Sequence, residues 1–183
     1  RTREEAQKER VVLVSHSLNC GLGAALATGM QVATHRSADI AVTFDADGQL
    51  YPEDIRAMIK PLQQGLSDVV IGSRFLQQES TIPFLRRLYN RIGNMLTWFL
   101  FHIWTSDSQS GIRAFNRHAL QVIRLRCSRM EVSSEYFREI EKRQLRWKEV
   151  PIRVRYTEYS LSKGQGFFRG INTVLRLALR RYL

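Results

Sequence analysis

Two aspartates at a spacing of two residues, Asp45 and Asp47, are the side chains in this sequence best suited to chemistry. They follow the apolar segment Ile40 to Phe44, which predicts a buried strand. Carboxylates at positions i and i+2 beyond a strand end can converge on one hard divalent cation, and oxygen ligands suit Mg²⁺ or Mn²⁺. Such a cation would neutralise a diphosphate. Asp-rich turns also form for local hydrogen-bonding reasons, so the pair alone leaves both interpretations open.

Three more segments combine glycine with polar side chains at the ends of predicted elements. They are Asn19-Cys20-Gly21-Leu22-Gly23, Gly72-Ser73-Arg74 and Asp107-Ser108-Gln109-Ser110-Gly111-Ile112-Arg113. Glycines let a backbone approach a nucleotide, and a loop with an acid, an amide and an arginine can orient a reacting group and bind phosphate oxygens. The first segment is a poor dinucleotide fingerprint, because Leu26 occupies its third glycine position. Each segment taken singly is also typical of an ordinary surface loop.

Alternating strands and helices must position these segments in the first half of the chain. Short apolar runs predict buried strands from Val11 to Val14, from Ile40 to Phe44 and from Asp68 to Gly72. Helices are predicted between them, from Leu22 to Thr34 and from Pro52 to Gly65. This alternation indicates a doubly wound, parallel α/β sheet. Ligands bind such sheets beyond the carboxyl ends of the strands, where the polar segments are expected to lie.

The second half of the chain predicts a long helix from Phe84 to Trp104, with apolar residues at helical spacing, namely Leu85, Leu88, Ile92, Met95, Phe99 and Ile103. Its C-terminal part is apolar nearly all round, so we expect cover on both sides. Core packing is the interpretation we favour for this helix, and contact with a membrane is the alternative.

Beyond the long helix the sequence predicts helices near Arg117 to Leu125 and Ser133 to Leu145. A strand is predicted from Val150 to Tyr156, with arginines on its outer face. Residues 167–183 form an amphipathic C-terminal helix in this reading. Core packing and an anionic membrane surface suit that helix equally.

The basic residues are concentrated in the second half. The net charge is +11, and residues 1–80 contribute −2 while residues 81–183 contribute +13. Arginine supplies most of the positive charge, which indicates an anionic partner such as a phosphorylated substrate, a lipid surface or nucleic acid. The two cysteines are far apart, so neither a disulfide framework nor a zinc site is expected, and we predict a cytoplasmic protein.

In chain order, the segments resemble the family two glycosyltransferases of GT-A fold. The pattern is N-x-G-x-G after a strand, DADGQ after the next, GSR after the third, then D-x-Q-S-G-x-R, E-V-P-I and S-x-S-K-G-Q. It is most similar to the polyprenyl-phosphate branch, which includes dolichol-phosphate mannosyltransferases. The resemblance covers nearly all 183 residues. It implies a Rossmann-like, mostly parallel sheet flanked by helices, in one catalytic domain spanning 1–183.

Within that domain the resemblance implies a nucleotide-sugar half (1–80), an acceptor half (81–166) and the C-terminal helix (167–183). The family normally begins with a further strand, a polar loop and a second strand ending in acidic residues. None of these is recognisable here, so the resemblance implies an N-terminally truncated domain.

The resemblance also implies the site. The nucleotide-sugar-binding residues would be Asn19, Gly21, Asp45, Asp47, Arg74, Gln109, Arg113 and Lys163. The metal ligands for Mg²⁺ or Mn²⁺ would be Asp45, Asp47 and Gln49. Asp107 matches an acid near the reacting carbon and is the candidate base. The branch often has an arginine where this chain has Thr157, so Arg153 or Arg155 is expected to substitute.

The activity implied is inverting transfer of a sugar from a nucleoside-diphosphate sugar to a polyprenyl phosphate or a cell-envelope glycan. A phosphate acceptor is already ionised near neutral pH, so Asp107 would mainly orient, whereas a hydroxyl acceptor needs Asp107 to take its proton. The protein would lie at the inner face of the cytoplasmic membrane, and no nucleic-acid partner is expected. Two alternatives remain: a non-enzymatic module that binds RNA or another polyanion, and an inactive glycosyltransferase remnant.

Overall fold

The computed structural model describes residues 2–77, 84–127 and 131–155. Lys163, Thr157 and the predicted C-terminal helix lie outside the described residues. The elements in chain order are α1 (Thr2–Gln7), α2 (Leu22–His35), β1 (Ile40–Thr43), a 3₁₀ turn (Pro52–Asp54), α3 (Ile55–Gln63), β2 (Val69–Ser73), α4 (Phe84–Phe101), β3 (Arg113–Asn116), α5 (Arg117–Val122), α6 (Val132–Lys142) and β4 (Trp147–Pro151).

The described strands form one mixed sheet in the order β1-β3-β2-β4. β3 lies antiparallel between β1 and β2, so that Thr43 and Ile71 both face Arg113 across the ladders. β4 runs parallel to β2 on the other side. β1, β2 and β4 therefore point in one direction. Their carboxyl ends share an edge of the sheet with the residues at which the chain enters β3.

Two predicted strands differ from those observed. Val11 to Val14 form no strand and pair with none among the described residues, and they are 39–60% exposed. A strand forms only where a neighbouring strand can pair with its N–H and C=O groups. An apolar sequence does not by itself provide that neighbour. The last strand is β4, earlier than the predicted Val150 to Tyr156, and Val154 makes only an isolated bridge with Leu50.

The predicted α/β architecture is confirmed, because helices cover both faces of the sheet. The described strands do not form the mostly parallel sheet that was predicted, because β3 runs antiparallel between β1 and β2 and only β2 and β4 pair in parallel. On one face Val69, Ile71 and Phe115 pack with residues of α2, α5 and α6. On the other face Val70 and Ala114 pack with Met58 and Leu62 of α3. This alternation follows from strand geometry, in which successive side chains point to opposite faces.

The long helix shows the expected core packing only at its C-terminal end, where Phe101 and the following Ile103 are buried in the core and Leu100 packs against it. Over the preceding turns the buried face is polar and consists of Asn90, Asn94 and Thr97. Four residues of the predicted apolar stripe face solvent instead, namely Leu88, Ile92, Met95 and Phe99. In the described part of the chain, no helix is both long enough and apolar enough to cross a bilayer.

Asp68, which is 7% exposed, joins the start of β2 to the end of β3 and to the start of β4. Its carboxylate accepts hydrogen bonds from the Arg146 Nε, at 3.1 Å, and Nη2, at 3.0 Å, and from Asn116 Nδ2, at 2.9 Å. Chiefly because of the hydrogen bond from the Arg146 side chain, the pKa of Asp68 is lowered to about 2.

This lowered pKa predicts acid sensitivity. A carboxylate whose folded pKa lies below its unfolded value stabilises the fold above the unfolded pKa, near 4, and loses that contribution as the pH falls toward the folded value. We expect Asp68→Asn to cost about 2 kcal/mol of unfolding free energy above about pH 5, and almost nothing near pH 2. Urea unfolding of both proteins across this range measures the difference. A difference that does not vary with pH would contradict the prediction.

Candidate active site

A cavity of about 150 Å³ opens at the sheet edge where β1 and β2 end and β3 begins. Most of the predicted site residues line it, namely Asp45, Asp47, Gln49, Arg74, Gln109 and Arg113. Strand direction explains the convergence, because residues far apart in sequence reach one edge from β1, β2 and the loop before β3. The expectation that polar segments meet beyond the strand ends therefore holds for these residues.

The loop after β1 presents the two aspartates. Asp47 accepts hydrogen bonds from the backbone N of Gln49, at 3.1 Å, and from its Nε2, at 2.5 Å. Gly48 between them adopts φ 77°, a conformation that suits glycine. The amide oxygen of Gln49 keeps its lone pairs, so two carboxylates and one amide supply hard oxygen ligands.

Asp45 lies against the backbone of Gly111. A Cβ atom added to Gly111 would overlap the Asp45 carboxylate, so only glycine leaves room for it there. The pKa of Asp45 is raised, first because the surrounding protein excludes water from the carboxylate and second because Asp47 is nearby. A cation bound between the two carboxylates would relieve both effects.

Arg113 supplies a buried positive charge at the cavity wall. Its side chain is 2% exposed, and the guanidinium lies 4.6 Å from the ring centre of Tyr136 and 5.8 Å from that of Phe137. Its Nε has no hydrogen-bond partner, and no carboxylate in the described ranges lies within ion-pair distance. Burial lowers the pKa of Arg113. Its Nη2 donates long hydrogen bonds to the carbonyls of Ser108 and Ser133, at 3.4 and 3.5 Å. An anion in the cavity would supply an acceptor for the remaining donors.

Asp107 is fully buried and forms an ion pair with Arg74. The carboxylate accepts from Arg74 Nε at 2.6 Å, from Nη2 at 2.7 Å and from the backbone N at 3.1 Å. Both carboxylate oxygens are therefore engaged, and the cavity is lined by Arg74 and not by Asp107. In this arrangement Asp107 orients Arg74. Its role as a base remains a prediction.

The loop containing Asp107 is held by residues that the sequence reasoning did not assign. Glu149 accepts hydrogen bonds from the backbone N of Ser106, at 2.9 Å, and from Thr105 Oγ1, at 2.7 Å. Asn90 and Asn94 of α4 donate to the Ser106 carbonyl at 2.7 and 2.8 Å. Two features of the sequence could have identified these residues. Glu149 is the acid of the E-V-P-I segment, and Asn90 and Asn94, four residues apart, lie on one face of a helix.

Tyr51 connects the aspartate loop to the chain after β4. The guanidinium groups of Arg153 and Arg155 lie 4.8 and 5.3 Å from its ring centre. Arg153 also forms hydrogen bonds of 2.7 and 2.9 Å with Asp54 Oδ1, while the backbone N of Arg155 donates to the Gln49 carbonyl at 2.9 Å. Of the two arginines expected to substitute for the family's cation, Arg153 is thus engaged by Asp54.

Asn19 and Gly21 lie in a separate groove. This groove has a volume of about 740 Å³ and is lined by residues of α2 and by Val12 to Val14. Asn19 Oδ1 accepts from the backbone N of Gly21 at 3.0 Å, which sets the turn into α2. The structure thus does not bring these two residues into the cavity of the aspartates. Leu22 and Leu26 of α2 line that cavity instead.

Residues 1–124 match the family Glycosyl transferase family 2. This match covers more than half of the chain, so the protein belongs to that family and is a glycosyltransferase. The predicted GT-A fold follows from the family, and the mixed sheet flanked by helices agrees with it.

Named relatives extend the similarity beyond residue 124. The chain is 38% identical over 174 residues to the UDP-N-acetylglucosamine–dolichyl-phosphate N-acetylglucosaminyltransferase of Methanococcus voltae, covering 93% of this chain and 69% of that protein. It is 39% identical to an uncharacterised protein of Methanocaldococcus jannaschii, covering 99% and 76%. It is 30% identical to the polyprenol monophosphomannose synthase of Mycolicibacterium smegmatis, covering 66% and 46%.

Proposed function

We propose that this protein transfers a sugar, with inversion, from a nucleoside-diphosphate sugar to a polyprenyl phosphate. The observation that supports the donor-binding site is the buried guanidinium of Arg113. This residue lines the cavity, and its Nε lacks a hydrogen-bond partner. A diphosphate is the kind of anion that such a group binds, because a phosphate oxygen accepts where water is excluded. The acceptor is inferred from the printed names of the relatives in Methanococcus voltae and Mycolicibacterium smegmatis.

The donor set of Asp45, Asp47 and Gln49 suits Mg²⁺ or Mn²⁺, since all three offer hard oxygen atoms. No group of three or more His, Cys, Asp or Glu side chains able to hold a metal occurs among the described residues. Two carboxylates are sufficient when substrate phosphates complete the coordination, as is usual for Mg²⁺. When bound, the metal supplies charge neutralisation for the departing diphosphate.

The other interactions with the diphosphate and the acceptor come from residues of the chain itself. Arg113 offers a preorganised positive charge in a site shielded from water, where it stabilises developing negative charge more strongly than in solution. Lys163, outside the described residues, is proposed to bind the same phosphates. An ionised phosphate acceptor needs no general base, and the engagement of both Asp107 oxygens by Arg74 supports this reading over a hydroxyl acceptor.

A further cavity, whose lining includes the sequence neighbours of Arg74 and Asp107, supports an acceptor site. It has a volume of about 350 Å³ and is lined by Phe75, Gln77, Arg87, Asn90, Arg91, Asn94 and Ser106. Its arginines suit a phosphate, and Ser106 adjoins the buried Asp107. Because a polyprenyl phosphate is a membrane lipid, we propose that the protein works at the inner face of the cytoplasmic membrane, in cell-envelope biogenesis.

A thermal-shift panel with UDP, GDP and CDP, each with and without Mn²⁺, tests the donor site. We expect one nucleotide to raise the melting temperature only when Mn²⁺ is present. Asp47→Ala should abolish this rise, because it removes a carboxylate from the cavity. Asp39→Ala is the matched control, since Asp39 forms only an exposed ion pair with Arg117.

The alternative outcomes are distinct. A nucleotide shift that survives in Asp47→Ala would contradict the metal site. Salt-sensitive RNA binding that is unaffected by Asp47→Ala, together with no nucleotide shift, would favour the polyanion-binding alternative.

A further inference from the structure

The loop segment from Thr105 to Asp107 has protein partners for every polar group of its central residue. The backbone N of Ser106 donates to Glu149 at 2.9 Å, and its hydroxyl donates to Glu149 Oε1 at the same distance. Its carbonyl accepts from Asn90 and Asn94 of α4, at 2.7 and 2.8 Å. Connecting segments usually run over the surface, where water satisfies such groups. This segment is instead held between a helix and a strand.

Glu149 provides the hold on the strand side. It is half-buried on β4 and shares a face of the strand with Trp147, which packs against the core. A carboxylate at such a position costs free energy unless hydrogen bonds satisfy it. Glu149 also accepts from Thr105 Oγ1 at 2.7 Å. The hydrogen bonds of the carboxylate within the described ranges all go to Thr105 and Ser106, so the charge is matched to this segment alone.

The same segment is tied twice to the end of β2. The Ser106 hydroxyl lies 2.6 Å from Ser73 Oγ. Since Ser106 donates its hydrogen to the carboxylate, which can only accept, Ser73 is the donor in this second contact. The next residues along the two segments, Arg74 and Asp107, form the ion pair with hydrogen bonds of 2.6 and 2.7 Å. A displacement of Ser106 would therefore move Asp107 and Arg74 with it.

The two tied segments contribute to both cavities. Arg74 lines the cavity of the aspartates, while Phe75 and Ser106 line the cavity of about 350 Å³. The position of one segment relative to the other therefore sets where a guanidinium lies in the first cavity and how the second is shaped. Glu149 lines neither of these cavities.

We propose that Glu149 is a positioning residue for Arg74. Its carboxylate holds the segment from Thr105 to Asp107 against β4, and this segment keeps Arg74 at the wall of the aspartate cavity. Because β4 pairs in parallel with β2, the anchor and the anchored arginine belong to adjacent strands of one sheet. The effect of Glu149 on sugar transfer, which rests on the proposed function, passes through the loop.

Amide hydrogen exchange of the full chain tests the anchor without requiring activity. We expect Glu149→Ala to speed exchange roughly tenfold or more at the backbone N of Ser106 and of Arg74. The first loses its acceptor, and the second loses the fixed position of Asp107, which accepts from it. Exchange in α3, which packs on the other face of the sheet, should not change. Glu141→Ala is the matched control, since Glu141 is exposed near the end of α6.

Sugar transfer by the full chain tests the consequence for Arg74. We expect Glu149→Ala to lower kcat/KM roughly a hundredfold, because a small displacement of a positioned group is enough for such a loss. Glu149→Gln should recover most of this loss, since its amide oxygen can still accept from Thr105 and Ser106. When Arg74 is already alanine, the effect of Glu149→Ala should nearly vanish. A glutamate that only stabilised the fold would instead add its effect to that of Arg74→Ala.

Two results would overturn the inference: unchanged exchange at Arg74 in Glu149→Ala, or effects of Glu149→Ala and Arg74→Ala on transfer that simply add. Melting temperatures show whether each variant folds. If Glu149→Ala does not fold, Glu149→Asp replaces it in both measurements, because its shorter side chain withdraws the carboxylate from the loop. If the unmodified protein transfers no sugar, the proposed function fails, and the exchange at Arg74 alone supports or overturns the role of Glu149.

Discussion

Replacing Asp107 with alanine is expected to lower the free energy of unfolding by about 3 kcal/mol, because it leaves a largely buried guanidinium without its anion. The side chain of Arg74 is 26% exposed, so the cost should fall at the lower end of the range for broken buried pairs. The backbone N of Arg74 also loses its acceptor. Urea unfolding measures the effect. Asp39→Ala, which breaks an exposed pair, should cost less than about 1 kcal/mol.

Asp107→Asn separates positioning from base catalysis. Asparagine keeps an acceptor for Arg74 but cannot take a proton. If Asp107 acts as a general base, this substitution should lower kcat by roughly a hundredfold or more and remove the acidic limb of the pH profile. If Asp107 only orients Arg74, we expect a smaller fall in kcat and an unchanged pH profile.

A double-mutant cycle with Arg74→Ala completes this test. Since the two side chains act through one ion pair, the effect of Asp107→Ala on transfer should nearly vanish when Arg74 is already alanine. Effects that simply add would show that Asp107 acts independently of Arg74, and would restore it as the candidate base.

Gly111→Ala is expected to weaken metal-dependent nucleotide binding by roughly a hundredfold, because a misplaced ligand of a preorganised site loses most of its contribution. The added Cβ would occupy the space of the Asp45 carboxylate and push it out of the cavity. The measurement is a titration with nucleotide and Mn²⁺, alongside the melting temperature of each variant.

Gly29→Ala is the control for the same chemical change. A Cβ on Gly29 meets nothing within 4 Å, and the residue lies inside α2. We expect this variant to be more stable by about 0.5–1 kcal/mol, because alanine is the better helix former. Gly29 lines the groove of Asn19 and Gly21 but not the cavity of the aspartates, so we expect its nucleotide binding to change far less than that of Gly111→Ala. Equal binding by Gly111→Ala and the unmodified protein would show that the position of Asp45 does not matter for binding.

The sequence predicted those parts of the fold that local pattern determines. β1 and β2 follow their apolar runs, and α2 follows its small-residue stripe. Val11 to Val14 have the same composition as these strands but no described partner, because pairing is a property of the whole sheet. In α4 the period of the apolar residues was read correctly. Period alone does not tell whether a stripe faces the core or the outside, and here it faces outward.

In the candidate site, too, some features follow from the local sequence pattern and others depend on the whole fold. That Asp45 and Asp47 share a cavity with Arg113 follows from strand direction and could be expected once the strands were known. The ion pair between Asp107 and Arg74 could not be expected from the sequence, because it joins residues 33 positions apart and depends on side-chain geometry. The lack of a partner for Arg113 Nε likewise depends on packing against Tyr136 and Phe137.

The strand order also bears on how the protein folds. β1 and β2 do not touch in the sheet, because β3, made some 40 residues after β2, separates them. During synthesis, residues 1–80 therefore cannot complete their own hydrogen-bonded ladder. Contacts between distant segments slow folding and leave edges open to wrong partners. We expect an isolated 1–80 fragment to remain unfolded or to aggregate, so the donor-side loop reaches its final form only after the chain through Asn116 has been made.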